Sequence, residues 1–203
     1  MKPEEYRIKV WPFYLRLEAD FIAALNYVEF STDNYATYSI DFERQLLSIC
    51  SEIDILCKLL CERIDSTQSP SKILQYASIL CNYGHFTATR VRFERNGVEV
   101  IPFSDLTTQN SPSWWSAYNA IKHRRVENEN YKKGNLENVF KALAALYVLN
   151  RYYCKEIATS SLSSEPSPKS QLFSIVGWPV NIALGNGFYH VLNLDGSMSL
   201  MCE

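Results

Sequence analysis

The pattern that most constrains the fold is an amphipathic run over residues 42–64. Apolar side chains recur there every three or four residues for about seven helical turns; they are Phe42, Leu46, Leu47, Cys50, Ile53, Cys57, Leu60, Cys61 and Ile64. Ser39 stands where a helix N-cap is expected, and Asp41 and Glu43 lie near the positive end of the helix dipole. A single apolar stripe of this length has to pack against other elements, so the sequence predicts a helical bundle.

Four further helices are expected around this one. Their apolar periodicity places them at about 13–30, 70–81, 112–125 and 136–157. Ser69-Pro70 and Ser111-Pro112 each match an N-cap followed by proline at the first helical position. The last helix contains the continuous apolar segment ALAALYVL at 142–149, which favours a position at the centre of the bundle.

Two other stretches break the helical pattern. Residues 90–103 alternate around Asn96-Gly97, the pair preferred in tight hairpin turns, so a β-hairpin is expected there. Residues 159–171 are rich in serine and proline and are predicted to be a linker. Residues 172–203 are predicted to form a small β-like C-terminal tail that packs on the hairpin. The expected fold is therefore all-α, an antiparallel helical bundle over residues 1–158 with a short β-hairpin insertion.

Composition limits the classes of function. Of the 203 residues 47% are apolar, and the formal net charge is −2, so nucleic-acid binding needs a local basic patch. Acidic residues near the start and the lack of a long apolar run favour a cytoplasmic protein without a membrane span. The six cysteines lack CxxC spacing, and Cys50, Cys57 and Cys61 share one helix stripe, so buried reduced thiols are expected.

The segment WWSAYNAIKHRR, residues 114–125, carries the strongest chemical signal. At about 100° per residue the core face of this helix is predicted to hold Trp114, Ala117, Tyr118 and Ile121. Asn119 and His123 lie nearly opposite that face, and Trp115 and Lys122 lie along one border. His123 is therefore expected to face solvent or a second subunit.

Two interpretations of the cations around His123 stay open. In the first, Lys122, Arg124 and Arg125, together with the histidine, complement the negative end of the helix dipole by about 0.3–1 kcal/mol each. In the second, an imidazole that titrates near neutral pH transfers protons at a phosphodiester while the neighbouring cations bind phosphate oxygens. Such chemistry requires neither a metal nor another cofactor.

The chain resembles the HEPN superfamily (higher eukaryotes and prokaryotes nucleotide-binding domain) in three respects. These are the order of its helices, the SEIDILCKLLCERI run at 51–64, and the 114–125 motif, which is followed by a loop and the NVFKALAALYVL helix. The resemblance covers roughly residues 10–158. It implies an all-α bundle that forms a homodimer and brings two copies of the motif helix together over a shared cleft. Many members are metal-independent endoribonucleases of toxin–antitoxin or phage-defence systems. RNA or a nucleotide is therefore the implied ligand, and an antitoxin is an implied protein partner.

The family signature is an arginine, often followed by a polar residue, with a histidine a few residues further along. The resemblance assigns Asn119, Lys122 and His123 to catalysis and Trp115, Tyr118, Arg124 and Arg125 to substrate binding. Tyr118 occupies the position of the signature arginine, and tyrosine lacks the permanent forked charge of a guanidinium group. The resemblance thus implies either cleavage assisted by the neighbouring cations or binding of RNA without cleavage.

A secondary polar cluster is expected on the long helix. Asp54 and Lys58 are spaced i,i+4, and Glu52 lies within the same two turns. Either these residues form a solvated salt bridge, or they line the cleft.

The competing hypothesis is a protein-interaction, or adaptor, module without catalysis. In that case Trp114, Trp115 and the C-terminal strands bind a protein partner, because exposed aromatic residues beside arginine are typical interface anchors.

Overall fold

A computed structural model describes residues 1–158 and 166–178, and the backbone of residues 180–185, 188–192 and 198–202. The α-helices in these residues are α1 (Pro3–Lys9), α2 (Trp11–Ala24), α3 (Ile40–Ile64), α4 (Ile73–Leu80), α5 (Ser113–Arg124) and α6 (Leu136–Ile157). The strands are β1 (Val91–Phe93), β2 (Glu99–Val100), β3 (Phe173–Ile175), β4 (Val180–Gly185), β5 (Phe188–Leu192) and β6 (Met198–Cys202). The chain is therefore mostly helical, as predicted, with small antiparallel sheets.

The long helices α3 and α6 form the centre of the bundle. The Ser39 hydroxyl accepts a hydrogen bond from the Phe42 amide at 3.0 Å, which confirms the predicted N-cap of α3. Every residue of α6 from 142 to 154 is buried, so the apolar segment lies in the core as expected. The three cysteines of α3 are buried free thiols, and burial raises the pKa of Cys61 to about 12.

The first predicted helix, at 13–30, is wrong at both ends. Its N-terminal part belongs to α2, which begins at Trp11 directly after α1, and α2 ends at Ala24. The amides of Asn26 and Tyr27 donate hydrogen bonds to carbonyls only three residues earlier, those of Ala23 and Ala24, so the α-helical pattern ends there. Phe30 instead packs against the rings of Phe93 and Phe140, at centroid distances of 4.5 and 4.7 Å. This core contact draws the chain away from the helix axis.

The two serine-proline pairs do not cap their helices. The helix α4 begins at Ile73 rather than at Pro70, and the Ser71 amide donates to the Gln75 side chain at 2.9 Å. The helix α5 begins at Ser113 after Pro112, and the Ser111 hydroxyl hydrogen-bonds to that of Ser116. The N-cap residues are instead Lys72 for α4 and Pro112 for α5, and neither side chain caps its helix.

The hairpin forms at the predicted position. Strand β1 pairs antiparallel with β2 around Asn96-Gly97, and Gly97 adopts a positive φ of 76° that suits glycine. On its other edge β1 pairs with β3, with Phe93 opposite Phe173, so this part of the tail packs on the hairpin as predicted. Strands β4, β5 and β6 form a second antiparallel sheet in that order.

The residues before β3 are attached to α2. Glu18 is 1% exposed, and its carboxylate accepts hydrogen bonds from the Ser170 hydroxyl and from the amides of Gln171 and Leu172. The Trp11 indole donates to the Pro168 carbonyl at 2.8 Å. Residues 159–165 of the predicted linker lie outside the described residues. Residues 168–178 are therefore attached to the bundle and the hairpin.

The loop between α5 and α6 packs against the start of α3. A Cβ added at Gly134 would lie 2.7 Å from the Cα of Glu43, so the two backbones approach more closely than any other residue permits. The Ser39 amide also donates to the Gly134 carbonyl at 3.2 Å. The end of α5 is thereby held beside α3. Among the helices that the structure describes, none has the length and apolar character needed to cross a membrane.

Candidate functional site

Helix α5 is fixed by its aromatic face. Trp114, Ala117, Tyr118 and Ile121 are buried, as the helical spacing predicted. The Trp114 indole donates to the Pro102 carbonyl at 2.8 Å, which ties α5 to the segment after the hairpin. The polar residues of α5 are therefore held by a rigid core contact.

A cleft of about 520 Å³ lies between α3, the start of α4 and α5. The residues that line it are Ser51 and Asp54 of α3, Ser71, Lys72, Ile73, Leu74 and Gln75 at α4, and Trp115, Tyr118, Asn119 and Lys122 of α5. Five of the residues predicted for the site thus share one cleft, four from α5 together with Asp54 of α3, and they meet there with residues at the start of α4.

The charges in the cleft favour an anionic ligand. The Lys122 ammonium bonds to the Tyr118 hydroxyl at 3.0 Å, and this hydrogen bond raises the pKa of Lys122. Lys72 makes no ion pair with any residue that the structure describes. Asp54 accepts from the Tyr76 hydroxyl at 2.7 Å and pairs with Lys58, so its charge is largely offset. Lys72 and Lys122 are the two cations that line the cleft, beside Asp54, whose charge contributes to the raised pKa of Lys122.

His123 and the two arginines do not line this cleft. His123 and Arg124 are exposed, and the His123 side chain has no hydrogen bond or ion pair within the described part of the chain. Arg125 donates to Glu43, whose side chain is only 8% exposed. Arg125 therefore holds the end of α5 against α3. The predicted site residues divide into a cleft group and a surface group.

Of the secondary polar cluster, Glu52, Asp54 and Lys58, only Asp54 lines the cleft. Asp54 pairs with Lys58, as the salt-bridge interpretation predicted, and it also lines the cleft within this chain. Glu52 does not line the cleft, and partial burial raises the pKa of its carboxyl group. Helical geometry explains the separation, because residues two apart project to nearly opposite sides of a helix.

The burial of both tryptophans contradicts one premise of the adaptor hypothesis. Trp114 is 1% exposed and Trp115 is 6% exposed, so neither is an exposed interface anchor. The rings meet edge to face at 6.0 Å, and Trp115 also contacts Tyr118 at 5.1 Å. Their main role is therefore packing, with Trp115 contributing to the cleft wall.

No pattern in the sequence indicated Lys72 or Gln75 as cleft residues. The predicted helix started at Pro70, which placed Lys72 inside the first turn, whereas it is the residue before α4. Lys72 and Gln75 share the cleft with Lys122 because α4 packs against α3. Within the described residues, no group of three or more His, Cys, Asp or Glu side chains is arranged to hold a metal ion.

Comparison with known proteins gave no match: no family model, curated protein or solved structure is similar to this chain. The cleft and the residues of α5 are therefore the basis for assigning a function.

Proposed function

We propose that this chain is an RNA-binding protein of HEPN-like architecture that binds through the cleft between α3, α4 and α5. The observation that carries the proposal is the convergence of Trp115, Tyr118, Asn119 and Lys122 in one cleft whose carboxylate is already paired. Phosphate groups dominate the affinity of most RNA-binding surfaces, and lysine binds them as a compact point charge. An amide next to the lysine adds a donor and an acceptor for a base or ribose.

Binding without cleavage agrees best with the separation of the predicted residues. A general base has to lie within hydrogen-bonding reach of the group that it deprotonates. His123 lies outside the cleft, and Arg125 is engaged by Glu43. Tyr118, at the position of the family arginine, is buried and accepts a hydrogen bond from Lys122. One chain alone therefore lacks an assembled catalytic set.

The second candidate is a metal-independent endoribonuclease that is completed by a second copy of the chain, as in toxin–antitoxin or phage-defence systems. One observation favours it. His123 and Arg124 are exposed near Val126, which is 83% exposed, and Ile40, which is 80% exposed, lies at the start of the helix that binds Arg125. These side chains are accessible to a second copy of the chain, which would have to supply the groups that complete a catalytic set around His123.

One experiment tests both candidates. A labelled single-stranded RNA is titrated with wild-type protein in EDTA, binding is followed by fluorescence polarisation, and the RNA is then analysed on a gel. We expect Lys122→Ala to weaken binding by about tenfold and to reduce the salt dependence by about 0.7 in log Kobs against log[salt], since one phosphate contact is lost. Intact RNA is the expected gel result.

Lys133→Ala is the matched control, because Lys133 is an exposed lysine that does not line the cleft. It should leave the affinity nearly unchanged. Equal affinities for wild type and Lys122→Ala would contradict binding in the cleft. Cleavage that is lost in His123→Ala would instead establish the second candidate.

A further inference from the structure

We infer that residues 126–134 form a latch with a closed and an open state, and that opening releases Arg125 from Glu43. The structure shows the closed state. The inference concerns the exposed end of α5, which carries His123 and Arg124, and not the cleft. Its consequence for RNA rests on the proposed function and deepens the second candidate, because those two residues belong to the surface group.

The loop turns through two residues whose backbone is strained. Asn128 and Glu129 have φ angles of 48° and 55°, in the left-handed region that favours glycine. Every residue from 122 to 129 is exposed, so the turn itself is not part of the core. Strain of this kind persists only where the surrounding contacts enforce it. The strain in this turn therefore favours opening.

Hydrogen bonds across the turn hold the latch closed. The side chain of Asn130, which is 6% exposed, donates to the Arg124 carbonyl at 2.9 Å. The Tyr131 amide donates to the Arg125 carbonyl at 3.1 Å. Both bonds join the residues after the turn to the last carbonyls of α5. They are the contacts that keep the chain in the left-handed conformation.

The far end of the loop covers the partner of Arg125. A Cβ added at Gly134 would lie 2.7 Å from both the Cα and the Cβ of Glu43, and the Ser39 amide donates to the Gly134 carbonyl at 3.2 Å. The Glu43 side chain is 8% exposed and accepts from Arg125 in this covered position. Ion pairs that are fully exposed to water contribute little. Lifting the loop from Glu43 would therefore weaken its hold on Arg125.

The end of α5 indicates what the open state is. Arg125 and Val126 already have helical backbone angles, with φ and ψ of −47° and −46° for the first and −86° and −12° for the second. If Asn128 and Glu129 also became helical, α5 would gain about one turn. The carbonyls of Arg124 and Arg125 would then accept from amides four residues further on. Opening therefore replaces these hydrogen bonds and relieves the strain.

Opening would change the charge at the end of α5. His123 and Arg124 are exposed in the closed state, whereas Arg125 is held by Glu43. Release would add, beside Arg124, a guanidinium group that is no longer paired with a carboxylate. Guanidinium groups bind phosphate oxygens through two parallel hydrogen bonds. The latch would therefore control how strongly this end of the helix attracts RNA.

Hydrogen exchange of the Ser39 amide, followed by NMR, tests the latch without RNA, because this amide bonds to the Gly134 carbonyl. Glu129→Gly removes the strain, whereas Glu129→Ala keeps it and loses the same ion pair with Lys132. We expect exchange to be about fivefold slower in the glycine variant than in the alanine variant, since glycine adopts the left-handed conformation at lower cost. Equal rates, or faster exchange in the glycine variant, would overturn the latch.

Gly134→Ala tests the same equilibrium from the other side. The added Cβ collides with Glu43, so the Ser39 amide should exchange about tenfold faster or more, while the amides of α6 keep their protection. An unaltered rate at Ser39 would contradict the latch. If the amides of α6 also lose protection, the variant has unfolded, and the two Glu129 variants decide the question.

RNA binding tests the release of Arg125. Glu43→Gln and Glu127→Gln remove the same charge, and Glu127 is an exposed glutamate of the same loop. We expect Glu43→Gln to raise the affinity for single-stranded RNA by about threefold more than Glu127→Gln, and Arg125→Ala to abolish that gain. Equal gains would refute the release of Arg125. RNA binding by none of these proteins would refute the proposed function, while exchange at Ser39 still decides whether the latch exists.

Discussion

Replacing Trp114 by alanine is expected to lower the free energy of unfolding by about 3–5 kcal/mol. The side chain is 1% exposed, and its ring contacts Phe103 edge to face at 5.7 Å and Trp115 at 6.0 Å. Its indole also satisfies the Pro102 carbonyl. Alanine would leave a cavity and an unpaired buried acceptor at the joint between α5 and the hairpin segment. The loss would therefore loosen the helix that carries the candidate site.

Urea denaturation followed by circular dichroism measures this change. Trp114→Phe is the matched variant, because it keeps an aromatic ring and loses the hydrogen bond, at a cost of about 1–3 kcal/mol. Tyr27→Ala serves as a surface control, since Tyr27 is 90% exposed, and it should change the free energy of unfolding by about 0.5 kcal/mol or less. A loss below about 1 kcal/mol in Trp114→Ala would show that α5 is not anchored by this residue.

Replacing Glu18 by alanine is expected to detach the chain before β3 from α2. The buried carboxylate is an acceptor for the Tyr14 and Ser170 hydroxyls and for the amides of Gln171 and Leu172. Each buried donor that loses its partner costs about 1–3 kcal/mol, so the expected loss is about 3 kcal/mol or more. Because the contact is confined to one segment, local release of that segment is expected before global unfolding.

Hydrogen exchange read by mass spectrometry detects the release. The amides of Gln171 and Leu172 should exchange faster in Glu18→Ala, while those of α6 should keep their protection. Glu18→Gln retains one carbonyl oxygen and most of the side-chain shape, so it should show a smaller increase. Unaltered exchange at Gln171 and Leu172 in Glu18→Ala would show that other contacts hold this segment.

Local patterns in the sequence predicted the elements that are built from local interactions. The stripe of α3, its Ser39 cap, the apolar centre of α6 and the Asn96-Gly97 hairpin each depend on residues close together in the chain. The end of α2 depends on where Phe30 packs, and the start of α4 departs from the cap that Ser69-Pro70 predicted. The end of α2 was wrong because a tertiary contact outweighed the local signal, whereas the start of α4 coincides with a different local contact, between the Ser71 amide and the Gln75 side chain.

The residues of the candidate site also divide into those that local spacing predicts and those that tertiary packing determines. Helical spacing correctly separated the buried face of α5 from His123. It gave no information about which helices face α5, so Lys72 was missed. The pair between Glu43 and Arg125 joins residues 82 apart in the sequence, and no spacing rule predicts it. Because of this pair, Arg125, which was predicted to bind substrate, has a structural role.

His123 and Arg124 lie outside the cleft that Lys122 lines, so the residues assigned by the family resemblance do not form one site within a single chain. If a second chain supplies the missing groups, His123 and Arg124 act only in a dimer, while the cleft of each chain remains a binding site. Binding and cleavage would then depend on different residues, Lys72 and Lys122 for the first and His123 for the second. Variants of the two groups should therefore have separable effects on RNA.

The most direct test of the cleft as the binding site uses the four tryptophan indoles as probes. Their N–H signals, assigned by single Trp→Phe variants, are followed by NMR while a short RNA is added. Trp115 lines the cleft, whereas the Trp11 indole is bonded to Pro168 outside it. If RNA binds in the cleft, the Trp115 signal should shift until binding saturates, with little change at Trp11 or Trp178. RNA binding with an unmoved Trp115 signal, or with the largest shift at Trp11 or Trp178, would contradict binding in the cleft.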